Sequence, residues 1–129
     1  MFNNLFNKLK KNILVVEDDE TLRGAISDKL RSEGYAVLEA ADGSEALRIA
    51  FENHPNVILL DLMLPIMDGA EVLSELRKDA WGAKIPVIIV SNLPDDRELG
   101  KKYNVYWYVV KSDWKLADIA LKVKSALKE

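Results

Sequence analysis

Glu17-Asp18-Asp19 follows the short apolar run Ile13-Leu-Val-Val16, and Asp61 follows Val57-Ile-Leu-Leu60. A hydroxyl, Ser91, ends Val87-Ile-Ile-Val90, and an ammonium, Lys111, ends Tyr108-Val-Val110. Carboxylates gathered at one place repel, and a hard divalent cation with oxygen ligands, typically Mg2+, is the cheapest relief. A carboxylate nucleophile at Asp61, faced by a hydroxyl and an ammonium, is equipment for accepting a phosphoryl group and holding its oxygens. Each residue also has a plainer use. Asp18, Asp19 and Glu20 could be helix caps and first-turn charges, Ser91 an ordinary strand-to-loop residue, and Lys111 a surface lysine. Asp61 is harder to explain that way, because the apolar run before it offers nothing to offset a buried charge.

Their joint placement depends on the elements that carry them. Leu22, Ala25, Ile26 and Leu30 recur at helical spacing until Gly34, which predicts a helix after the first strand. Tyr35 to Glu39 repeats the strand pattern. Asp42-Gly-Ser44 then opens a helix through Ala46, Leu47, Ala50 and Phe51 that His54-Pro55 ends. Val57 to Leu60 with Val72, Leu73 and Leu76, and Ile85 to Val90 with a short helix near Asp95 to Lys102, give the third and fourth units. Val105 to Val110 is the fifth strand. Leu116, Ile119, Ala120, Val123 and Leu127 stripe a closing helix that Ser112 or Asp113 can cap. Strands this uniformly apolar suit a parallel sheet covered on both faces, so the expected fold is doubly wound α/β with five β/α units. In such sheets ligands bind at the carboxyl ends of the strands, where Glu17, Asp18, Asp61, Ser91 and Lys111 all fall.

Composition narrows the function further. The 129 residues suit one domain, and 49% hydrophobic with 30% charged residues marks a folding globular chain. A net charge of -3 offers no general field for nucleic acid, so no nucleic-acid partner is expected. Zero Cys and one His exclude thiol catalysis, thiolate zinc sites and Ser-His or multi-His centres, and fit a reducing, cytoplasmic home. No apolar run approaches the roughly 18 residues of a membrane span.

Five stretches carry a family resemblance: Ile13-Leu-Val-Val-Glu-Asp-Asp-Glu20, Asp42-Gly-Ser-Glu-Ala-Leu47, Leu60-Asp-Leu-Met-Leu-Pro-Ile-Met-Asp-Gly69, Pro86-Val-Ile-Ile-Val-Ser91 and Tyr108-Val-Val-Lys111. Over about residues 12 to 128 the chain resembles bacterial two-component response-regulator receiver domains, of the single-domain chemotaxis kind. The resemblance implies a flavodoxin-like (βα)5 fold with strand order 2-1-3-4-5, a receiver domain at 12-129 and an N-terminal extension at 1-11. It implies that Asp61 takes a phosphoryl group from a sensor histidine kinase. Asp18, Asp61 and the backbone carbonyl of Met63 would hold Mg2+, with Glu17 helping through water. Ser91 and Lys111 would bind phosphoryl oxygens. Ser91 and Tyr108 would form the switch that changes a partner-binding face, although Tyr108 also fits plain core packing.

The chain departs from the family pattern in four places. Ser112 stands where proline usually follows the lysine, so the Lys111-Ser112 peptide is expected to be trans. Asn92 replaces the small residue usual after the hydroxyl. Met63 and Leu93 place apolar groups two residues beyond Asp61 and Ser91, which predicts poor access for water. Tyr103-Asn104 replaces Gly-Ala, beside Tyr106, Trp107, Tyr108 and Trp114, and marks the expected output surface. Strand alternation would bury Tyr106 and Tyr108 on one side and Trp107 on the other, leaving Tyr103 and Trp114 for a partner.

Two segments stand outside this scheme. Phe2, Leu5, Phe6 and Leu9 share one helical face near Lys8, Lys10 and Lys11, as in a docking or membrane-surface helix, a helix packed on its own domain, or a frayed tail. His54, before Pro55, reads as a solvated loop residue. The expected function is a stand-alone phosphoacceptor switch, not an enzyme beyond its own phosphorylation and dephosphorylation, acting as a monomer or phosphorylation-dependent dimer on an output protein. The alternatives are a relay intermediate passing the group to a histidine phosphotransfer protein, and an aspartate-nucleophile phosphatase. The latter wants a second Asp at the position of Met63. A flavodoxin-like phosphate binder is opposed by the acidic residues after strand one.

Overall fold

The computed structural model describes residues 11-128. The segment expected as an N-terminal extension, 1-11, lies outside the described residues except for Lys11. The elements run β1 (Asn12–Val16), α1 (Glu20–Ser32), β2 (Ala36–Ala40), α2 (Gly43–Asn53), β3 (Val57–Leu60), α3 (Gly69–Lys78), β4 (Val87–Ser91), α4 (Arg97–Lys102), β5 (Trp107–Val110), a 3-10 turn (Lys111–Asp113) and α5 (Leu116–Ala126). All strand pairings are parallel, in the order β2-β1-β3-β4-β5. This is the expected doubly wound order.

Strand alternation divides the core into two layers. Ile13, Val15, Val57, Leu59, Ile88, Val90 and Val109 face a layer with Ile26 and Leu30 of α1 and Ile119, Ala120 and Val123 of α5. Leu14, Val16, Ile58, Leu60, Val87 and Ile89 face the opposite layer, with Ala46 and Ala50 of α2 and Val72, Leu73 and Leu76 of α3. Each fully buried Leu or Ile of these central strands contributes on the order of 1.5–3 kcal/mol from removal from water.

Polar caps stop the helices where the loops must begin. Asp19, Asp42, Asp68 and Asp96 accept from the backbone N–H of Leu22, Glu45, Glu71 and Leu99, satisfying orphan donors of α1 to α4. The closing helix differs from expectation. Ser112 and Asp113 lie in the 3-10 turn, the N-cap is Lys115, and the Asp118 carboxylate reaches back to accept from the Lys115 N–H at 3.0 Å. Three strands are also displaced from their expected bounds. Tyr35 precedes β2, its N–H held by the Leu30 carbonyl at the end of α1, while Ile85 precedes β4 and Val105 precedes β5.

Arg77, in the last turn of α3, was not singled out by sequence. Its guanidinium donates to the carbonyls of Tyr103 at 2.7 Å, Gly82 at 2.6 Å, Ile85 at 2.7 Å and Asn104 at 3.2 Å. Burial pulls its pKa below the ordinary arginine value. One cation thereby satisfies backbone acceptors of the α3–β4 loop and of the turn entering β5.

Candidate phosphoacceptor site

The carboxyl ends of β1, β3 and β5 bring Glu17, Asp61 and Lys111 into contact. Lys111 Nζ lies 2.9 Å from Asp61 Oδ2 and 2.5 Å from Glu17 Oε1. Both carboxylates are buried, Glu17 with 3% of its surface exposed and Asp61 with 4%. The Asp19 N–H donates to Glu17 Oε2 at 3.1 Å, and the Met63 N–H donates to Asp61 Oδ1 at 3.1 Å. Arg23 supports the site from behind, with Nη1 on the Glu17 carbonyl at 2.9 Å and Nε on Glu39 at 3.2 Å. Sequence reading missed Arg23, because its spacing on α1 is that of any solvated arginine.

Burial raises the Glu17 carboxyl above its ordinary value; Lys111 and the Asp19 N–H oppose this, and the charge on Asp61 adds to it. Lys111 feels the opposite balance. Burial pushes it down, but its bonds to Glu17 and Asp61 prevail and hold the ammonium above its ordinary value. The ammonium therefore stays charged between the two acids.

Asp18 completes an acidic cluster: Glu17, Asp18 and Asp61 offer carboxylate oxygens within 4.8 Å of one another. One lysine cannot neutralise three carboxylates, and Glu17 Oε1 makes no well-directed hydrogen bond despite its ion pair. An all-oxygen, partly open donor set of this charge fits a hard divalent cation such as Mg2+. Of the other acidic residues after β1, Asp19 is the α1 cap and Glu20 a first-turn charge, so the plain reading holds for those two.

Around the acids lies an open cleft of about 320 Å3 lined by Glu17, Asp18, Asp19, Asp61, Met63, Asn92 and Lys111. Ser91 ends β4 fully buried, its Oγ accepting from the Leu93 N–H at 3.3 Å, and Asn92 lines the cleft instead. The two apolar flanks also separate. Met63 borders the cleft, whereas Leu93 does not line it and is 40% exposed. The loop after β3 is held tightly: a Cβ on Gly69 would collide with the Asp61 carbonyl, and the Gly69 N–H donates to Leu62 O at 3.0 Å.

β5 links this cleft to the aromatic region. The Tyr108 hydroxyl donates to the Leu93 carbonyl at 3.0 Å, and the Lys111-Ser112 peptide is trans, as is every described bond. The expected distribution of aromatics requires correction. Tyr106 and Trp107 are both substantially exposed, while Tyr103 and Trp114 pack against the two core layers. β5 is an edge strand, and α4, at six residues, is too short to cover it. Tyr106 instead bonds Ser125 Oγ at 2.6 Å, and Lys122 Nζ sits 3.3 Å over the Trp107 ring. A second cleft, of about 380 Å3, opens here among Asp95, Asp96, Arg97, Tyr106, Tyr108 and Trp114. His54 is exposed as expected but stacks on Trp81, with ring centroids 4.2 Å apart.

The fold agrees with comparison to known proteins. Residues 13–123 match the response regulator receiver domain family. The chain belongs to that family. Among its relatives, the transcriptional regulatory protein PrrA of Mycobacterium tuberculosis is 38% identical over 118 residues, covering 90% of this chain and 49% of PrrA. A probable transcriptional regulator, ycf27, of Cyanophora paradoxa is 44% identical over 104 residues, covering 79% and 42%. The receiver domain thus spans about half the length of the curated relatives it matches. The chemotaxis protein CheY4 of Vibrio cholerae superposes with a TM-score of 0.83 at 26% identity, covering 91% of this chain and 98% of that one. The receiver domain of a sensor histidine kinase from Pseudomonas aeruginosa, whose structure has magnesium in its active site cleft, gives 0.82 at 31% identity, covering 92% and 98%. Among the described residues no helix is long and apolar enough to cross a membrane.

Proposed function

We propose that this receiver domain is a phosphoacceptor switch in which Asp61 takes a phosphoryl group from the phosphohistidine of a sensor histidine kinase. The observation that carries the reading is the bridging of Asp61 and Glu17 by the single buried-edge cation Lys111. In the transfer an Asp61 carboxylate oxygen forms a bond to phosphorus as the phosphorus–nitrogen bond to the kinase imidazole breaks, and the imidazole leaves. Lys111 is placed to hold the phosphoryl oxygens as Asp61 loses its own charge in the acyl phosphate. Ser91 would join them only after its hydroxyl leaves the Leu93 N–H.

Mg2+ would be held by Glu17, Asp18, Asp61 and the Met63 carbonyl, neutralising the crowded negative charge so that an anionic donor can approach. Output would pass through β5. Tyr108 holds the loop after β4 through Leu93, and its change of position with Ser91 would reshape the aromatic cleft for an output protein. The transcriptional-regulator names of longer relatives support a regulatory output. Likeness to the receiver of a sensor kinase supports a second reading, a relay intermediate that passes the group on to a histidine phosphotransfer protein. The cytoplasm, where kinase phosphohistidines face such partners, is the proposed location.

The test is incubation with acetyl phosphate and Mg2+ followed by intact mass measurement. One added phosphoryl group, absent in Asp61→Asn, is expected. An adduct that persists in Asp61→Asn overturns the assignment. Transfer of label from the phosphoprotein to a purified histidine phosphotransfer domain distinguishes the relay reading.

A further inference from the structure

The loop that leaves Asp61 carries a strained residue at its tip. Ile66 has a φ of 69°, in the left-handed region. The Met67 N–H donates to the Pro65 carbonyl at 2.7 Å, closing a three-residue turn around it. A γ-turn with positive φ is rare and strained for any L-residue, and a β-branched side chain is among the worst suited to it. Asn104, which also has a positive φ, is of a type that tolerates one. The backbone on either side gives Ile66 no freedom. A Cβ on Gly43 would collide with the Met67 carbonyl, so the turn is seated against the start of α2, and Asp68 is fixed as the cap of α3.

Burial does not offset this strain. Ile66 is 82% exposed, and Met63 and Pro65 on the same loop are exposed with it. An apolar side chain held in water, in a conformation that Asn or Gly adopts more easily, destabilises the isolated fold relative to either residue. Leu121, 65% exposed, lies in the regular helix α5 and carries no such strain.

The position of this apolar lip says what covers it. Met63 borders the acidic cleft, and the Cα of Ile66, three residues on, lies at most ~11 Å from that of Met63. In-line transfer to Asp61 needs the donor phosphorus within ~3.5 Å of the carboxylate. A protein that carries the phosphohistidine must therefore close over the cleft mouth. A protein contact of ordinary size buries ~800 Å2 on each side, a patch that reaches ~16 Å from its centre and so takes in Ile66. The cleft itself is lined by the carboxylates of Glu17, Asp18 and Asp61, which repel a phosphoryl donor. Apolar contact on the lip supplies an attraction that those charges do not oppose. A small donor such as acetyl phosphate enters without covering the lip.

We propose that Ile66, with Met63 and Pro65, is the apolar anchor on which the phosphohistidine-bearing protein docks, and that this partner presents an apolar surface beside its histidine. The inference rests on the phosphoacceptor reading of Asp61 and names the partner chemistry of that site.

Ile66→Asn removes the apolar side chain and suits a positive φ, whereas Ile66→Leu keeps an apolar side chain. Two rates are measured for each protein: phosphorylation by acetyl phosphate, and transfer from an autophosphorylated sensor histidine kinase, the fastest donor to wild type in a purified panel. The ratio of kinase transfer to acetyl phosphate loading should fall about tenfold in Ile66→Asn and stay within about threefold of wild type in Ile66→Leu. The thermal midpoint of Ile66→Asn should meanwhile rise by ~4 °C, so that docking is lost as the fold becomes firmer. A wild-type ratio in Ile66→Asn overturns the inference and leaves the phosphoacceptor reading in place. Failure of acetyl phosphate to load wild-type Asp61 overturns that reading and the inference with it. An equal fall in Ile66→Leu, a midpoint that does not rise, or a panel in which no kinase transfers also overturns the inference. So does self-association that depends on Ile66 at an unchanged ratio, which assigns the lip to a second copy.

Discussion

Lys111 and Asp61 meet at 2.9 Å across the carboxyl ends of β5 and β3, and the same ammonium is shared with Glu17. Removing it leaves two buried carboxylates without their cation, and breaking a buried ion pair from one side costs about 3–5 kcal/mol. Lys111→Met should therefore lower the stability of the metal-free protein by an amount approaching that range. Urea unfolding checks this. A change within error of zero would mean that the acids find relief elsewhere.

Metal should act on the same repulsion. Binding to the native state alone stabilises by about 2.7 kcal/mol at a hundredfold excess over the dissociation constant. The thermal midpoint should rise with Mg2+ in wild type and rise little in Asp18→Ala. Identical titration curves for the two proteins would remove Asp18 from the site.

The lifetime of a phosphorylated state should depend unequally on the two apolar flanks. Met63 borders the cleft and Leu93 does not, so Met63→Asn should hydrolyse the phosphoprotein faster, with Leu93→Glu the weaker change. Decay of radiolabelled phosphoprotein measures both. A dominant effect at Leu93 would mean that this side chain moves over the cleft once Asp61 is phosphorylated.

Gly69 has no room for a side chain. A Cβ there meets the Asp61 carbonyl, whereas one on Gly100 meets nothing within 4 Å. Gly69→Ala should displace the loop that carries Asp61 and slow phosphorylation by acetyl phosphate. Gly100→Ala, within α4, should be neutral or stabilising by up to about 1 kcal/mol. Equal rates in both variants would contradict the close approach.

Alkaline pH should expose the Tyr108 environment. Burial raises its phenol above the ordinary value, the Ser91 hydroxyl opposing this and the charges of Asp95, Asp96 and Asp61 adding to it. The folded state therefore holds this proton where the unfolded chain releases it. The associated stability is complete below about pH 10 and is lost as pH rises through the folded value. Stability measured across alkaline pH should fall more gently in Tyr108→Phe than in wild type. Parallel slopes would show that Tyr108 titrates as a free phenol.

The sheet and the acidic cluster were legible because they depend on patterns that few alternatives share. Continuous apolar strands such as Val57–Leu60 have no other stable place, and Asp61 at such a strand's end has no offset except a site. Features set by three-dimensional meeting were not legible. Arg23 and Arg77 look like surface arginines until α1 and α3 aim them at backbone carbonyls. Asp118 was hidden as the N-terminal partner of α5 because Ser112 and Asp113 offer better capping chemistry, and the 3-10 turn moves them out of reach. Tyr106 falls just before β5, where strand alternation does not reach, and Trp107 stays exposed because β5 is an edge that α4 leaves open.

Arg77 gives β5 two unlike ends. At its entry, the turn at Tyr103 and Asn104 is fastened to α3 by a guanidinium that also grips the loop before β4. At its exit, beyond the Val110 pairing with Ser91, the Lys111 ammonium is held by carboxylates whose charge chemistry can alter. A strand fixed at one end and released at the other pivots more readily than it slides. Displacement at Lys111 and Tyr108 would then be delivered along the edge of the sheet as tilt, with its fulcrum at Arg77.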